Sequence, residues 1–168
     1  NNTTQARQYF NQIAEPDEEA NFDEDNYAAA LSRRFLRQAP GPVLLNLFRA
    51  RNAYDGGYFV KAMSILGQTR SGFALQPAEL VEWHYRKARI SHDLGQLSVA
   101  KDHFEQCLRY TADEYTNWLH AYAAFYLGEI ASENQQYSSA RAHYKQALEF
   151  DGYFYQSGLE NRCKSSLS

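Results

Sequence analysis

Residues 85–110 read YRKARISHDLGQLSVAKDHFEQCLRY, and residues 125–150 read FYLGEIASENQQYSSARAHYKQALEF. The two stretches superimpose at a spacing of 40 residues. Under that shift Tyr85 pairs with Phe125, Ala88 with Gly128, Ile90 with Ile130 and Leu97 with Tyr137. Ala100 then pairs with Ala140, His103 with His143, Phe104 with Tyr144 and Leu108 with Leu148. A third copy lies 38 residues earlier, with Ala50, Phe59, Ala62 and Leu66 on the positions of Ala88, Leu97, Ala100 and Phe104. Self-similarity at a fixed period is the mark of a repeat architecture.

Each unit reads as a helical hairpin. Leu97, Ala100, Phe104, Cys107 and Leu108 fall on one face of an amphipathic helix. Between the halves stand Gly56-Gly57, Gly95-Gln96 and Asn134-Gln135-Gln136. Glycine takes the left-handed conformation that ends a helix, and asparagine is the next choice. Small residues at 50, 88 and 128, and at 62, 100 and 140, let two helices approach closely beside bulky aromatics.

These residues resemble the tetratricopeptide repeat, whose pattern is W-x2-L-G-x2-Y followed by A-x3-F and a late Pro. Leu127-Gly128, Ala100-x3-Phe104 and Ala140-x3-Tyr144 carry the likeness, which covers roughly residues 42–152. The family's period is about 34 residues. The longer spacing here, the missing first-helix Trp and the missing Pro depart from it. Pro77 is expected to start one of the longer helices, and Thr111-Ala112-Asp113-Glu114 reads as a capping box starting another. The run from Ala121 to Leu167 is similar, more faintly, to the C-terminal region of the inclusion-body-clearance tetratricopeptide family, and no function is carried over from it.

The flanks fit an array. Ala6, Phe10 and Ile13 suggest that residues 3–14 are the second helix of a truncated repeat. Residues 15–25 read as an acidic linker, and Asn26–Arg37 as a helix with Tyr27, Leu31 and Phe35 on one face. Pro40-Gly41-Pro42 ends that helix. After Asp151-Gly152, residues 153–166 read as a capping helix with Tyr155, Leu159, Cys163 and Ser166 along one side. The chain thus divides into 1–41, three hairpins over 42–152, and a cap over 153–168. The expected fold is all-α: a short right-handed solenoid of about nine helices in antiparallel hairpins. The start at Asn1, without Met, suggests a fragment or processed product.

Composition narrows the function. The 168 residues carry 17 Lys and Arg against 20 Asp and Glu, a formal charge of −3, which argues against nucleic-acid binding driven by whole-chain charge. No run of about 18 apolar residues is present to span a membrane. The two cysteines, Cys107 and Cys163, build no disulfide framework and read as buried small residues. The five histidines lack metal-ligand spacing, and no phosphate loop or nucleophile elbow occurs, so no catalytic residue, metal or cofactor is assigned. The acidic linker lacks an EF-hand's glycine and spacing and reads as a solvated segment. Arg33, Arg34, Arg37, Arg49 and Arg51 either grip an acidic peptide or neutralise that linker.

Aromatics are in excess, with 13 Tyr, 10 Phe and 2 Trp. The resemblance implies that the first helices of the hairpins line a concave face that takes a peptide or partner helix. Mapped onto this chain, the inward positions are Leu47, Arg51 and Tyr54, then Tyr85, Arg89 and His92, then Tyr122, Phe125, Tyr126 and Glu129. Arg51 and Arg89 are the expected anchors, replaceable by Ala with little loss of stability. The chaperone-tail clamp of some family members needs Lys and Asn at these positions and is not kept. Each of these aromatics has a second reading, as packing between helices. The reading is a non-enzymatic interaction scaffold with a protein partner. The alternative is a structural segment that stacks on further repeats or self-associates as a homo-oligomer.

Overall fold

The computed structural model describes residues 2–15, 23–37, 39–112 and 115–168. Most of the expected acidic linker lies outside them. So do Asp113 and Glu114 of the expected capping box, and the side chains of Asp23, Glu24, Asp25 and Arg34. The described residues form nine α-helices and no strand. They divide into two compact units, residues 1–41 and 42–168.

The first unit holds α1 (Asn2–Ala14) and α2 (Asp23–Arg37). Three contacts set their direction. Arg7 donates to the Leu36 carbonyl, Phe10 meets Phe35 with ring centroids 5.4 Å apart, and Arg33 donates to the Ala14 carbonyl at 2.8 Å. As one partner number rises the other falls, so the helices run antiparallel. Ala29 of α2 is fully buried. α2 therefore begins three residues before the expected start. α1 pairs with α2 as a hairpin of its own.

The second unit comprises α3 (Pro42–Asp55), α4 (Phe59–Gly72), α5 (Pro77–Asp93), α6 (Leu97–Leu108), α7 (Asn117–Glu133), α8 (Tyr137–Ala147) and α9 (Gln156–Leu167). The pairs α3/α4, α5/α6 and α7/α8 are the three hairpins. All three turn the same way. The N–H groups of Gly57, Gly95 and Gln135 donate to the carbonyls of Tyr54, His92 and Ser132 at 2.8, 2.9 and 2.9 Å. The next N–H groups, of Tyr58, Gln96 and Gln136, donate to Ala53, Ser91 and Ala131, each at 2.8 Å. This is the Schellman closure, which needs one left-handed residue. Gly57 and Gly95 supply it at φ 77° and 72°. In the third hairpin the left-handed residue is Gln135 at φ 59°, not the expected Asn134. Asn134 stays right-handed and its Nδ2 donates back to the Ile130 carbonyl at 2.9 Å.

The repeated small residues pack as their pattern implies. Ala50, Ala62, Ala88 and Ala100 are fully buried, and Ala140 nearly so. Gly128 faces the buried ring of Tyr144 so closely that an added Cβ would stand 2.5 Å from Cε1. Leu66, Phe104 and Tyr144 are the matching large residues, all buried. Tyr137, equivalent to Leu97, is instead 68% exposed. α5 starts with Pro77 in its first turn and a capping box, in which the Glu79 carboxylate accepts the Gln76 N–H at 2.9 Å. α7 starts later than expected, at Asn117, with Thr116 rather than Thr111 as its cap residue. Buried His120 ties this start down: Nδ1 faces the Thr116 carbonyl and Nε2 the Tyr110 carbonyl, at 2.9 and 3.0 Å.

Candidate functional site

The order of helix contacts defines an inner side of the second unit. α5 packs against both α3 and α7, and α7 packs against α9. Among the described residues, α4 does not reach α6, and α6 does not reach α8. First helices that touch while second helices splay apart make a curved stack with α3, α5, α7 and α9 on the inside.

Arg89 sits at the centre of that side. Its guanidinium lies 4.2 Å from the Tyr126 ring centroid and 5.5 Å from that of Tyr54. Its Nη2 donates to the Tyr54 hydroxyl at 2.6 Å, and that hydroxyl donates on to Asp93 Oδ2 at 2.5 Å. Asp93 also pairs with Arg89 at 3.9 Å. Burial works against the Arg89 cation, but the phenols of Tyr85, Tyr126 and Tyr54 outweigh it and raise its pKa. Burial, then the bond to Asp93, holds the Tyr54 hydroxyl protonated well above the usual range. The cluster joins α3, α5 and α7, so Arg89 cross-links three hairpins as well as lining their inner side.

The aromatic cluster runs on in both directions. Tyr126 stacks on Phe104 at 5.4 Å with the planes 9° apart. Trp118 meets Tyr85 edge-on at 5.6 Å and Tyr122 at 6.2 Å. Arg86 lies 5.5 Å from the Trp118 centroid and pairs with Glu82 at 3.1 Å. At the far end Arg162 of α9 lies 4.2 Å over the Phe125 ring.

The middle hairpin shows the close Ala88–Ala100–Phe104 packing and the glycine turn together. Residues 82–114 match the family model of the tetratricopeptide repeat. No curated protein and no solved structure matches the chain. The matched segment spans most of α5 and all of α6, the hairpin that carries Arg86 and Arg89. It does not reach residues 121–167, whose expected similarity to the inclusion-body-clearance family finds no match.

The positions expected to face inward divide into buried and half-buried residues. Leu47, Tyr85 and Phe125 are buried, at 0%, 2% and 1% exposure, and Tyr126 is close behind at 9%. Burial pushes the Tyr85 hydroxyl up to about 12. Arg51, Tyr54, Arg89, His92, Tyr122 and Glu129 are half-buried at the surface. Arg51 pairs with Asp55 at 3.5 Å, and Glu129 accepts from the Tyr144 hydroxyl at 2.5 Å. Arg89 differs from the free anchor the sequence suggests, because its charge is already matched by Asp93.

Three residues on this side were not among the sequence candidates. Trp118 gave no signal, since apolar residues are spread around most of α7 and mark no single face. Arg86 could have been found from its i,i+4 partner Glu82. Arg162 stands forty residues after Tyr122, one further step of the repeat spacing.

Away from this side, His84 and His103 form a pair, with Nδ1 atoms 2.9 Å apart. The ring centroids are 5.1 Å apart, as two imidazoles joined end to end by one N–H···N bond would be. Burial, then His103, Lys87 and Arg70, lower His84 to about 4. Among the described residues no three His, Cys, Asp or Glu side chains converge as a metal site. Cys107 and Cys163 are buried free thiols, raised by burial to about 12 and 11. No helix of the described residues is long and apolar enough to cross a membrane.

Proposed function

We propose that residues 42–168 are a non-enzymatic binding module that takes an extended segment or a helix of a protein partner along α3, α5, α7 and α9. The observation that supports this reading is the order of helix contacts, α5 against α3 and α7 and α7 against α9, with half-exposed Tyr54, His92 and Tyr122 carried on those first helices. Leu47, Tyr85 and Phe125 support it as a rigid floor, and Tyr126 bridges floor and rim. Tyrosine offers large contact area at low entropic cost, and Tyr and Arg are enriched at binding hot spots. Tetratricopeptide repeats generally mediate protein–protein contacts, which agrees with this use of the face.

Selection of a displayed peptide library on the full chain tests it. Enriched peptides should bind Tyr122→Ala and Arg51→Glu variants about tenfold more weakly than the parent. A Lys101→Ala variant on the outer helix α6 should bind as the parent does. Equal binding to all four proteins refutes the reading.

A second reading is favoured by α1, where Tyr9 and Ile13 are 55% and 43% exposed. That apolar surface suits stacking on a further repeat or on a second copy. Light scattering of the parent and of a Tyr9→Ser/Ile13→Ser variant tests it; a monomer in both cases argues against self-association.

A further inference from the structure

The cations of the inner side are not alike. Arg51 is matched by Asp55 at 3.5 Å, Arg86 by Glu82 at 3.1 Å, and Arg89 by Asp93 and the Tyr54 hydroxyl. Each lies four residues from its acid on the same helix. Arg162 is exposed and makes no ion pair among the described residues. Glu160 of α9 and Glu129 of α7 have other partners. Glu160 accepts from Lys164 and from Gln156, both at 2.8 Å, and Glu129 accepts from Tyr144.

The position is set by the fold. Leu159 and Cys163 are buried and turn α9 onto α7 and α8. That leaves Arg162 at the step equivalent to Tyr122, with its guanidinium 4.2 Å over Phe125. A guanidinium that rests against a ring and makes no ion pair keeps N–H groups for an acceptor. The half-buried Tyr122 phenol lies in the fields of both Arg162 and Arg89. The residues from Arg89 through Tyr126 and Tyr122 to Arg162 thus follow one another, and of the arginines on this side Arg162 alone makes no ion pair among the described residues.

We infer that Arg162 is the specificity-determining contact of this surface and takes the side-chain carboxylate of an Asp or Glu in the partner segment. The inference rests on the binding reading above. A planar guanidinium edge fits a carboxylate with two parallel hydrogen bonds. Phosphorylated residues are recognised by clusters of Arg, and here one Arg stands alone. A chain-terminal carboxylate is captured by free backbone N–H groups, and Arg162 lies inside α9, where the helix uses them. The partner supplies the acid that Arg162 lacks among the described residues.

The test is a selection of displayed peptides, fused at their C-termini, on the full chain and on Arg162→Glu. The parent should enrich peptides with Asp or Glu at one fixed position. The charge-reversed chain should enrich Lys or Arg there. For one parent-selected peptide, Arg162→Gln in the chain and Glu→Gln in the peptide should each weaken binding about tenfold, and the two together should cost no more than either alone. Arg162→Gln keeps an aliphatic stem over Phe125, so its melting temperature should stay near the parent's. Peptides that lose binding with Tyr122→Ala but keep it with Arg162→Glu overturn this inference and leave the binding reading standing. Peptides indifferent to both changes, or no enrichment at all, overturn both.

Discussion

Replacing Gly128 by Ala isolates the closest helix approach in the third hairpin. A Cβ there would stand 2.5 Å from Cε1, 2.7 Å from Cδ1 and 3.0 Å from Cζ of Tyr144. The ring cannot swing away freely, because it is buried, lies 5.7 Å from Phe125 and is held by its hydroxyl on Glu129. Overpacking of a core costs about 1–3 kcal/mol, and contacts this short put the case near about 3. Alanine returns about 1 kcal/mol of helix propensity over glycine. The net expectation is a loss of about 2 kcal/mol. Tyr144→Leu removes the obstacle, as Leu66 already sits opposite Ala50 in the first hairpin. In that background Gly128→Ala should stabilise by about 1 kcal/mol, a coupling of about 3 kcal/mol between the two sites. Urea unfolding followed by far-ultraviolet circular dichroism gives the four free energies of the cycle. Equal effects of Gly128→Ala in both backgrounds would falsify the close-packing account.

Three further outcomes are expected. Gln135→Gly should raise stability by about 0.5–1 kcal/mol in thermal unfolding, since a side chain at positive φ is strained and glycine is not; a loss would show that the Gln side chain holds the turn. Arg89→Ala should cost about 2–3 kcal/mol by breaking the Tyr54–Arg89–Tyr126 sandwich, whereas Arg51→Ala should stay within about 0.5 kcal/mol as a surface pair; equal melting temperatures for the two variants contradict the burial argument. His84 has its folded pKa lowered from 6.5 to about 4, so the stability it contributes is complete above pH 6.5 and is lost as pH falls toward 4. Allowing for its half-exposure, the loss is about 1–2 kcal/mol, and a His84→Gln variant measured across that window should show a shallower slope.

Much of this architecture was written in the small residues. Ala62, Ala100 and Ala140 recur because each must let a neighbouring helix close in, and that requirement leaves a period. The turns were legible for the same reason, down to Gly57 and Gly95. Gln135 escaped because glutamine carries no preference for the left-handed region; only the shared closure with Gly95 reveals it. The inner side was legible as a set of positions and not as a surface. Leu47 and Tyr85 look like Arg51 and Tyr122 in a helical projection, yet the next hairpin covers the first pair and not the second. Nor does spacing show that Arg89 is matched across helices by Tyr54, since the partner is 35 residues away.

α5 has a role in folding beyond its place on the inner side. Trp83 and Ile90 belong to the core shared with α3 and α4, while Val81, Tyr85 and Ala88 belong to the larger core shared with α6 to α9. The Trp83 indole N–H also donates to the Leu66 carbonyl at the C-terminal half of α4, at 2.8 Å. Of the two cores, the smaller rests on Val43, Leu47, Ala50, Ala53, Ala62 and Leu66 together with those two α5 residues. The first hairpin can therefore open as a sub-global unit while α5 to α9 keep their own core. Amide hydrogen exchange should be faster in α3 and α4 than in α7, with α5 following the slower set. Events that reach Arg89 from the α3 side would then register as protection of one hairpin, read out through the Tyr54 hydroxyl that clasps it.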